Sequence, residues 1–211
     1  CADTGCRMKN KKVSILASGD EILTGRLIDT NSAWISKFVQ NLGYEIGYIG
    51  ITGDNIDTLQ DLIKFVSSQS DIIIITGGLG PTEDDKTRFV LSNITEQKLV
   101  FNFVANNGMF QYYKKLGRDF STIPSSNFVQ CMIPIDSFFI PNQNGTACGI
   151  VSSLKSAKKE VVIIALPGVP HEMKSMMNLL ASEYSHILPQ VGTAYISKIM
   201  TLFGCSESRL G

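Results

Sequence analysis

Three segments of the sequence place carboxylates directly after small residues, and each segment follows a run of apolar residues. Their acids are Asp20 and Glu21, then Asp54, then Asp84 and Asp85. If the apolar runs are neighbouring parallel strands, about 5 Å apart, these acids meet at one edge of a sheet. Crowded carboxylates repel one another unless a cation joins them, and their oxygens suit Mg²⁺. The pattern therefore predicts a magnesium site that could assist phosphate hydrolysis or transfer.

A glycine-rich turn that opens with Thr76 separates the third apolar run from its acids. Its glycines lack a Cβ, so backbone N–H groups can approach an anion closely at Gly77, Gly78 and Gly80. A helix predicted to begin near Thr82 would add the positive end of its dipole. Phosphate is therefore the expected occupant. The spacing matches neither the Walker A loop nor the GxGxxG fingerprint.

Each of these features also has an ordinary structural explanation. Thr82 and Asp85 have the spacing of a capping box, and Asp54 with Asp57 suits a helix entry. Glycines after a strand are common in tight turns. Residues 142–147 and 166–170 could be plain turns, or they could offer further amides and hydroxyls to the same ligand.

The elements that must position these loops follow from hydrophobic periodicity. Short β-rich runs alternate with amphipathic stretches of helical length, which is typical of a mostly parallel sheet with helices on both faces. Strands are predicted at residues 13–17, 44–52, 71–76, 135–140, 149–154 and 161–166. Helices are predicted at residues 31–42, 56–67, 82–93, 101–116 and 170–188, and a loop is predicted at residues 121–127.

Composition limits the kind of protein that the chain can be. Its 211 residues, 44% of them hydrophobic, can bury one good core, and the α/β domain is predicted at residues 11–189. Nineteen basic and nineteen acidic residues cancel, so no nucleic-acid partner is expected. No apolar run is long enough for a membrane span, and a cytoplasmic protein is expected. Residues 1–10 are interpreted as a disordered or cloning-derived extension.

Five motifs, taken in order, resemble a known family. Residues 18–25 (SGDEILTG) with 29–32 (DTNS) are similar to the opening motif of the molybdopterin-binding superfamily of MoaB, MogA and MoeA. Residues 76–87 (TGGLGPTEDDKT) resemble the version found in the CinA branch, the competence/damage-inducible proteins. Similar CinA segments are residues 144–147, 166–170 with 172–173, and 203–208. Cys148 stands where the family usually has proline.

The resemblance implies a three-layer α/β/α domain and, for this branch, a metal-dependent pyrophosphatase acting on ADP-ribose-like substrates. In related proteins, acids matching Glu21, Asp54 and Asp85 gather around the metal, here expected to be Mg²⁺ or another divalent ion. Ligand-binding positions are expected at Asp20, Asn31, Thr76, Gly77, Gly78, Gly80, Asn144, Gly145, Thr146, Pro167 and Gly168. Residues 190–211 would start a truncated second α/β unit, and a homodimer is expected.

Three functions remain open at this point. The first is Mg²⁺-assisted hydrolysis of a nucleoside diphosphate sugar, with Asp84 as general base and Asp85 as a metal-binding catalytic residue. The second is a module that binds a pterin-like molecule in molybdenum cofactor biosynthesis. The third is a non-catalytic scaffold, against which the acidic loops argue, since a scaffold has no need to crowd carboxylates.

Overall fold

The computed structural model describes residues 11–155 and 159–191. The extension predicted for residues 1–10 lies outside the described residues, as does the predicted second unit apart from residues 190 and 191. Within the described ranges, no helix combines the length and apolar character that a membrane crossing requires.

In the part of the chain that the structure describes, six strands form the central sheet and two short strands pair separately. The central strands are β1 (Lys12–Ser18), β2 (Glu45–Thr52), β3 (Ile72–Thr76), β6 (Phe138–Ile140), β7 (Gly149–Lys155) and β8 (Glu160–Leu166). The separate antiparallel pair is β4 (Leu99–Phe101) with β5 (Met132–Pro134). In the order β2-β1-β3-β8-β7-β6, the first four strands are parallel, β7 pairs antiparallel with β8, and β6 pairs antiparallel with β7. The predicted mostly parallel α/β sheet is confirmed.

Helices cover both faces of this sheet, because its strands are apolar on both sides. In β3, Ile72 and Ile74 belong to one buried cluster, whereas Ile73 and Ile75 belong to the other. The first cluster receives α2 (Thr30–Asn41) and α6 (Pro170–Glu183). The second receives α3 (Ile56–Ser67), α4 (Thr87–Thr95) and α5 (Phe103–Lys115). One further short helix, α1 (Asp20–Leu23), follows β1.

The prediction that a helix begins near Thr82 is wrong, because α4 begins at Thr87. The Asp85 carboxylate accepts hydrogen bonds from the Thr82 amide at 2.9 Å and from the Thr82 hydroxyl at 2.6 Å. The Asp85 amide in turn donates to the Thr82 carbonyl at 3.1 Å. These bonds close a turn, so the helix dipole starts five residues farther from the glycines than expected.

The region between α4 and β7 differs most from its prediction. The short strands β4 and β5 were not expected, and α5 occupies residues 103–115 of the predicted 101–116. The predicted loop at 121–127 is largely 3-10 helical, at Phe120–Thr122 and Ser125–Cys131. Since β7 is antiparallel to β8, the beginning of β7 and the loop before it reach the same end of the sheet as the carboxyl ends of the parallel strands.

Candidate functional site

The loops at the carboxyl ends of the parallel strands enclose a cavity of about 650 Å³. We call it the rim cavity. The predicted site residues that line it are Glu21, Asp54, Gly77, Gly78, Gly80, Asp84, Asp85, Thr146, Pro167 and Gly168. The other predicted site residues, all within the described ranges, do not line it: Asp20, Asn31, Thr76, Asn144 and Gly145. The loops thus converge as the strand pattern predicts.

Asp54 lies at the centre of a group of carboxylates. The Asp20 amide donates to Asp54 Oδ2 at 3.2 Å, and the Asp54 amide donates to Asp20 Oδ1 at 3.3 Å. Burial is the largest cause that raises the pKa of Asp54, and the Asp20 amide acts in the opposite direction. The negative charges of Asp20, Glu21 and Asp84 raise this pKa further. Loops from β1, β2 and β3 therefore bring their acids into electrostatic contact.

Asp85 lines the same cavity but has a structural partner in the turn at Thr82. Within residues 11–155 and 159–191, no group of three or more His, Cys, Asp or Glu side chains is arranged to hold a metal ion. Mg²⁺ in proteins usually uses one or two carboxylates and takes its remaining ligands from waters and substrate phosphates. The donors present are of the right type for such a shared site. The metal role of Glu21, Asp54 and Asp85 stays a prediction.

Gly77 is the point at which three strand ends meet. Its φ is 108°, and a Cβ there would overlap the Ser18 carbonyl oxygen that follows β1. Its amide donates to the Leu166 carbonyl at 3.0 Å, and a Cβ on Gly168 would lie 3.5 Å from Gly77 Cα. Because this amide already has a partner, Gly77 serves close packing of the loops and is not free to bind phosphate.

The next residues of the turn keep their amides available. Gly78 has a φ of 67°, and a Cβ there would overlap the Thr87 hydroxyl, which donates to the Gly77 carbonyl at 2.8 Å. Among the hydrogen bonds of the described residues, none is donated by the amides of Gly78, Leu79 or Gly80. These amides are the donors that an anion in the rim cavity could use.

Two predicted ligand-binding residues, Asn31 and Thr76, hold the loops together behind the cavity. Asn31, only 6% exposed, donates from Nδ2 to Thr76 Oγ1 at 2.9 Å and to the Gly168 carbonyl at 2.8 Å. The Thr76 hydroxyl donates to the Pro167 carbonyl at 3.2 Å. Asp29 caps α2 by accepting from the Ser32 amide, which fixes where Asn31 stands. These contacts tie the ends of β3 and β8 together.

Arg88 supports the glycine turn from the protein interior, and sequence reasoning missed it. It is 1% exposed and donates to the carbonyls of Leu79, Gly80 and Val129, the Gly80 bond being 3.0 Å long. Burial lowers its pKa, although the charge of Asp85 and two buried thiols act in the opposite direction. The guanidinium therefore places a buried positive charge against the backbone of the glycine turn.

Glu172 forms the opposite wall of the rim cavity and was also missed as a site residue. Its Oε2 accepts a hydrogen bond from Asn142 Nδ2 at 2.6 Å, and a Cβ on Gly145 would overlap its carboxylate. Burial raises the pKa of Glu172, while the Asn142 bond and nearby His171 act to lower it. A half-buried acid with a single amide donor is equipped to accept a further hydrogen bond from a ligand.

Asn142 also organises the loop that carries the remaining predicted residues. Its Nδ2 donates to the Ala147 carbonyl at 2.8 Å, and its Oδ1 accepts from the Asn144 amide at 3.0 Å. Asn144 therefore contributes its backbone to the loop, while Thr146 reaches the rim cavity. The sequence signals for this loop were the density of turn residues at 142–147 and the CinA-like segment at 144–147.

The three-layer fold and the loops converging on a glycine turn define an α/β domain of the molybdopterin-binding type. Residues 14–186 match the family model described as "Probable molybdopterin binding domain", and the chain belongs to this family. The match covers the whole rim cavity, from the β1 loop to α6.

Within this family, the chain is similar to CinA-type proteins, as the motifs predict. It is 32% identical over 196 residues to the "Putative competence-damage inducible protein" of Thermoanaerobacter pseudethanolicus, covering 93% of this chain and 45% of the relative. The chain thus spans about half the length of the curated relatives it matches.

Solved structures show the same fold. The protein CinA from Thermoplasma acidophilum matches with a TM-score of 0.72 and 28% identity, over 85% of this chain and 100% of that chain. The tungsten cofactor synthesizing protein MoaB from Pyrococcus furiosus matches with a TM-score of 0.57 and 20% identity, over 85% and 95% of the two chains. The second likeness concerns the fold alone.

Proposed function

We propose that this chain hydrolyses the diphosphate of a nucleoside diphosphate sugar such as ADP-ribose, with a divalent metal ion as cofactor. The observation that carries the proposal is the shared rim cavity. The carboxylates of Glu21, Asp54, Asp84 and Asp85 line one part of it, and the glycine turn lies beside them. A bound diphosphate would meet amide donors and, through a cation, the acids. The substrate class is the one that the resemblance of residues 76–87 to the CinA branch implies.

The chain's own residues would divide the reaction between binding and proton transfer. The amides of Gly78 and Gly80 would hold phosphate oxygens above the buried charge of Arg88. Water attacks one phosphorus, the bond from that phosphorus to the bridging oxygen breaks, and the other phosphate leaves. Asp84 would accept the proton of the attacking water. A divalent ion, held by Glu21, Asp54 and Asp85, supplies neutralisation of the phosphate charge when bound.

The direct test is to incubate the protein with ADP-ribose and MgCl₂ and to measure AMP and ribose 5-phosphate. Asp84→Asn should lower turnover by about 100-fold or more, because it removes the base. Glu83→Gln is the matched control, since Glu83 is an exposed neighbour that does not line the cavity. Absence of turnover with Mg²⁺, Mn²⁺ and Co²⁺ would contradict the proposal, as would equal loss in both variants.

The metal can be tested without turnover. Mg²⁺ at about 100 times its Kd should raise the free energy of unfolding by about 2.7 kcal/mol, with phosphate present to complete the ligand set. Asp54→Asn should abolish this gain, whereas Asp57→Asn, which changes an exposed acid at the start of α3, should retain it. Equal stabilisation of both variants would place the ion elsewhere.

A second function is binding of a pterin-like molecule without hydrolysis. Two observations favour it: the family model describes a molybdopterin-binding domain, and the described acids do not form a ready-made metal site. Tight binding of a pterin phosphate together with no cleavage of ADP-ribose would establish this alternative over the first. A scaffold would show neither behaviour, and Asp85→Asn would leave its ligand binding unchanged.

A further inference from the structure

A second cavity, of about 260 Å³, lies between α5 and the loop that precedes β7. We call it the side cavity. Its apolar wall includes Val104, Met109, Phe139 and Pro141, and its polar residues include Asn107, Asn142 and Thr146. An apolar enclosure with an aromatic ring and a few amides is suited to a planar heterocycle, whose faces are apolar and whose edge carries hydrogen-bonding atoms.

The side cavity adjoins the rim cavity through one loop. Thr146 lines both cavities. Asn142 and Gly145 line the side cavity, and both contact Glu172, which lines the rim cavity. The Asn142–Glu172 hydrogen bond therefore stands at the junction between the two spaces.

The order of the strands sets the distance between the two sites. The glycine turn follows β3, the loop with Pro167 and Gly168 follows β8, and the loop around Gly145 precedes β7. Because β3, β8 and β7 are neighbours in this order, two strand spacings, roughly 10 Å, separate the glycine turn from the loop around Gly145. A ligand with its diphosphate over the glycine turn would thus need a linker of about one sugar to reach the side cavity.

We propose that the side cavity binds the planar heterocyclic ring of the ligand whose diphosphate lies over the glycine turn, while Glu172 and Asn142 accept the polar linker between them. This rests on the proposed function for the position of the diphosphate. The shared chemistry is a flat heterocycle on a phosphorylated chain, which an adenine nucleotide and a pterin phosphate both offer.

Gly108 gives a clean way to block the side cavity. It lines the cavity, it is exposed on α5, and a Cβ added there meets nothing within 4 Å. Gly108→Trp should therefore fill the cavity without disturbing the backbone. Gln111→Trp is the matched control, because it adds the same indole to an exposed position of α5 outside both cavities. Circular dichroism and thermal unfolding of both variants check that they fold.

Calorimetric titration with two non-hydrolysable compounds separates the ring from the phosphates. The wild-type protein should bind α,β-methylene-ADP about tenfold or more tightly than methylenediphosphonate, since a stacked base adds a favourable contact. Gly108→Trp should bring the two affinities together by weakening only α,β-methylene-ADP, and Gln111→Trp should preserve the gap. Neopterin monophosphate is titrated in parallel to test whether a pterin ring, and not adenine, raises the binding affinity.

Each result bears on a different part of the proposal. Two results would overturn the side-cavity assignment while leaving the diphosphate site intact. The first is that the difference in affinity survives Gly108→Trp. The second is that the wild-type protein binds neither the adenine compound nor the pterin compound more tightly than methylenediphosphonate. If methylenediphosphonate does not bind, the proposed function fails at the glycine turn. Binding of adenosine or neopterin alone, lost in Gly108→Trp, would then still support a ring site.

Discussion

Gly77→Ala is the substitution whose cost follows most directly from the structure. An alanine there must adopt a φ near 108° and place its Cβ against the Ser18 carbonyl oxygen. Such a backbone conformation costs a non-glycine residue about 1–3 kcal/mol, and forcing an atom into a packed site costs about 1–3 kcal/mol more. We expect a loss of about 3 kcal/mol, which is roughly 10 °C in Tm for a domain of this size.

Two other glycines separate the two contributions in the same urea and thermal unfolding experiments. Gly117 has a φ of 70° but no atom within 4 Å of an added Cβ, so Gly117→Ala carries only the backbone cost. Gly108→Ala carries neither the backbone cost nor a steric cost, and it should stabilise α5 by about 1 kcal/mol. The difference between Gly77→Ala and Gly117→Ala measures the contact with Ser18. If these two variants lose equal stability, the β1 and β3 loops are not held rigidly together and the reasoning is refuted.

Three further predictions concern groups outside the acidic loops. Arg88→Met should cost about 3 kcal/mol or more in urea unfolding, because it leaves three buried or partly buried backbone carbonyls without their donor, and Arg88→Lys should not restore the loss. Burial raises the pKa of Cys131 to about 11 and that of Cys148 to about 12, so maleimide labelling at pH 8 with peptide mapping should leave both unmodified until denaturant is added. Burial alone would raise the pKa of Asp71, but the Lys12 amide, Lys159 and Lys11 outweigh burial and lower this pKa. Asp71 therefore stabilises the fold at pH values above its unfolded-state pKa, and this stabilisation is lost as the pH falls through its folded-state pKa. Asp71→Asn should remove this loss, so the free energy of unfolding should depend less on pH in the acid range.

Local pattern was sufficient to predict the parallel half of the fold. The isoleucines of β3 pack into both layers, which only a strand covered on both faces can do, and the run of four predicted this directly. The convergence of Glu21, Asp54 and Asp84 followed from strand direction alone, since loops after neighbouring parallel strands must share an edge.

Features decided by tertiary contacts were beyond such reasoning. A helix was predicted to begin at Thr82, where Thr82 and Asp85 also have capping-box spacing, whereas their hydrogen bonds close a separate turn. Arg88 sits in a helix that suggests a surface position, and only the carbonyls gathered around it make burial favourable. Glu172 belongs to the CinA-like segment at 166–173, but its place in the site could not be predicted, because its partner Asn142 is thirty residues away in sequence.

Chain direction reverses between β8 and β7, and this reversal divides the fold into two regions that differ in how much sequence change they tolerate. Gly77 and the acidic loops belong to parallel strands whose spacing and packing tolerate little change. The side cavity is lined by the stretch between α4 and β7, which contains several short elements together with α5, a helix buried on only one face. Insertions or substitutions in that stretch can reshape the side cavity while the acidic loops keep their positions. Diversification of ligand preference within this fold should therefore concentrate there.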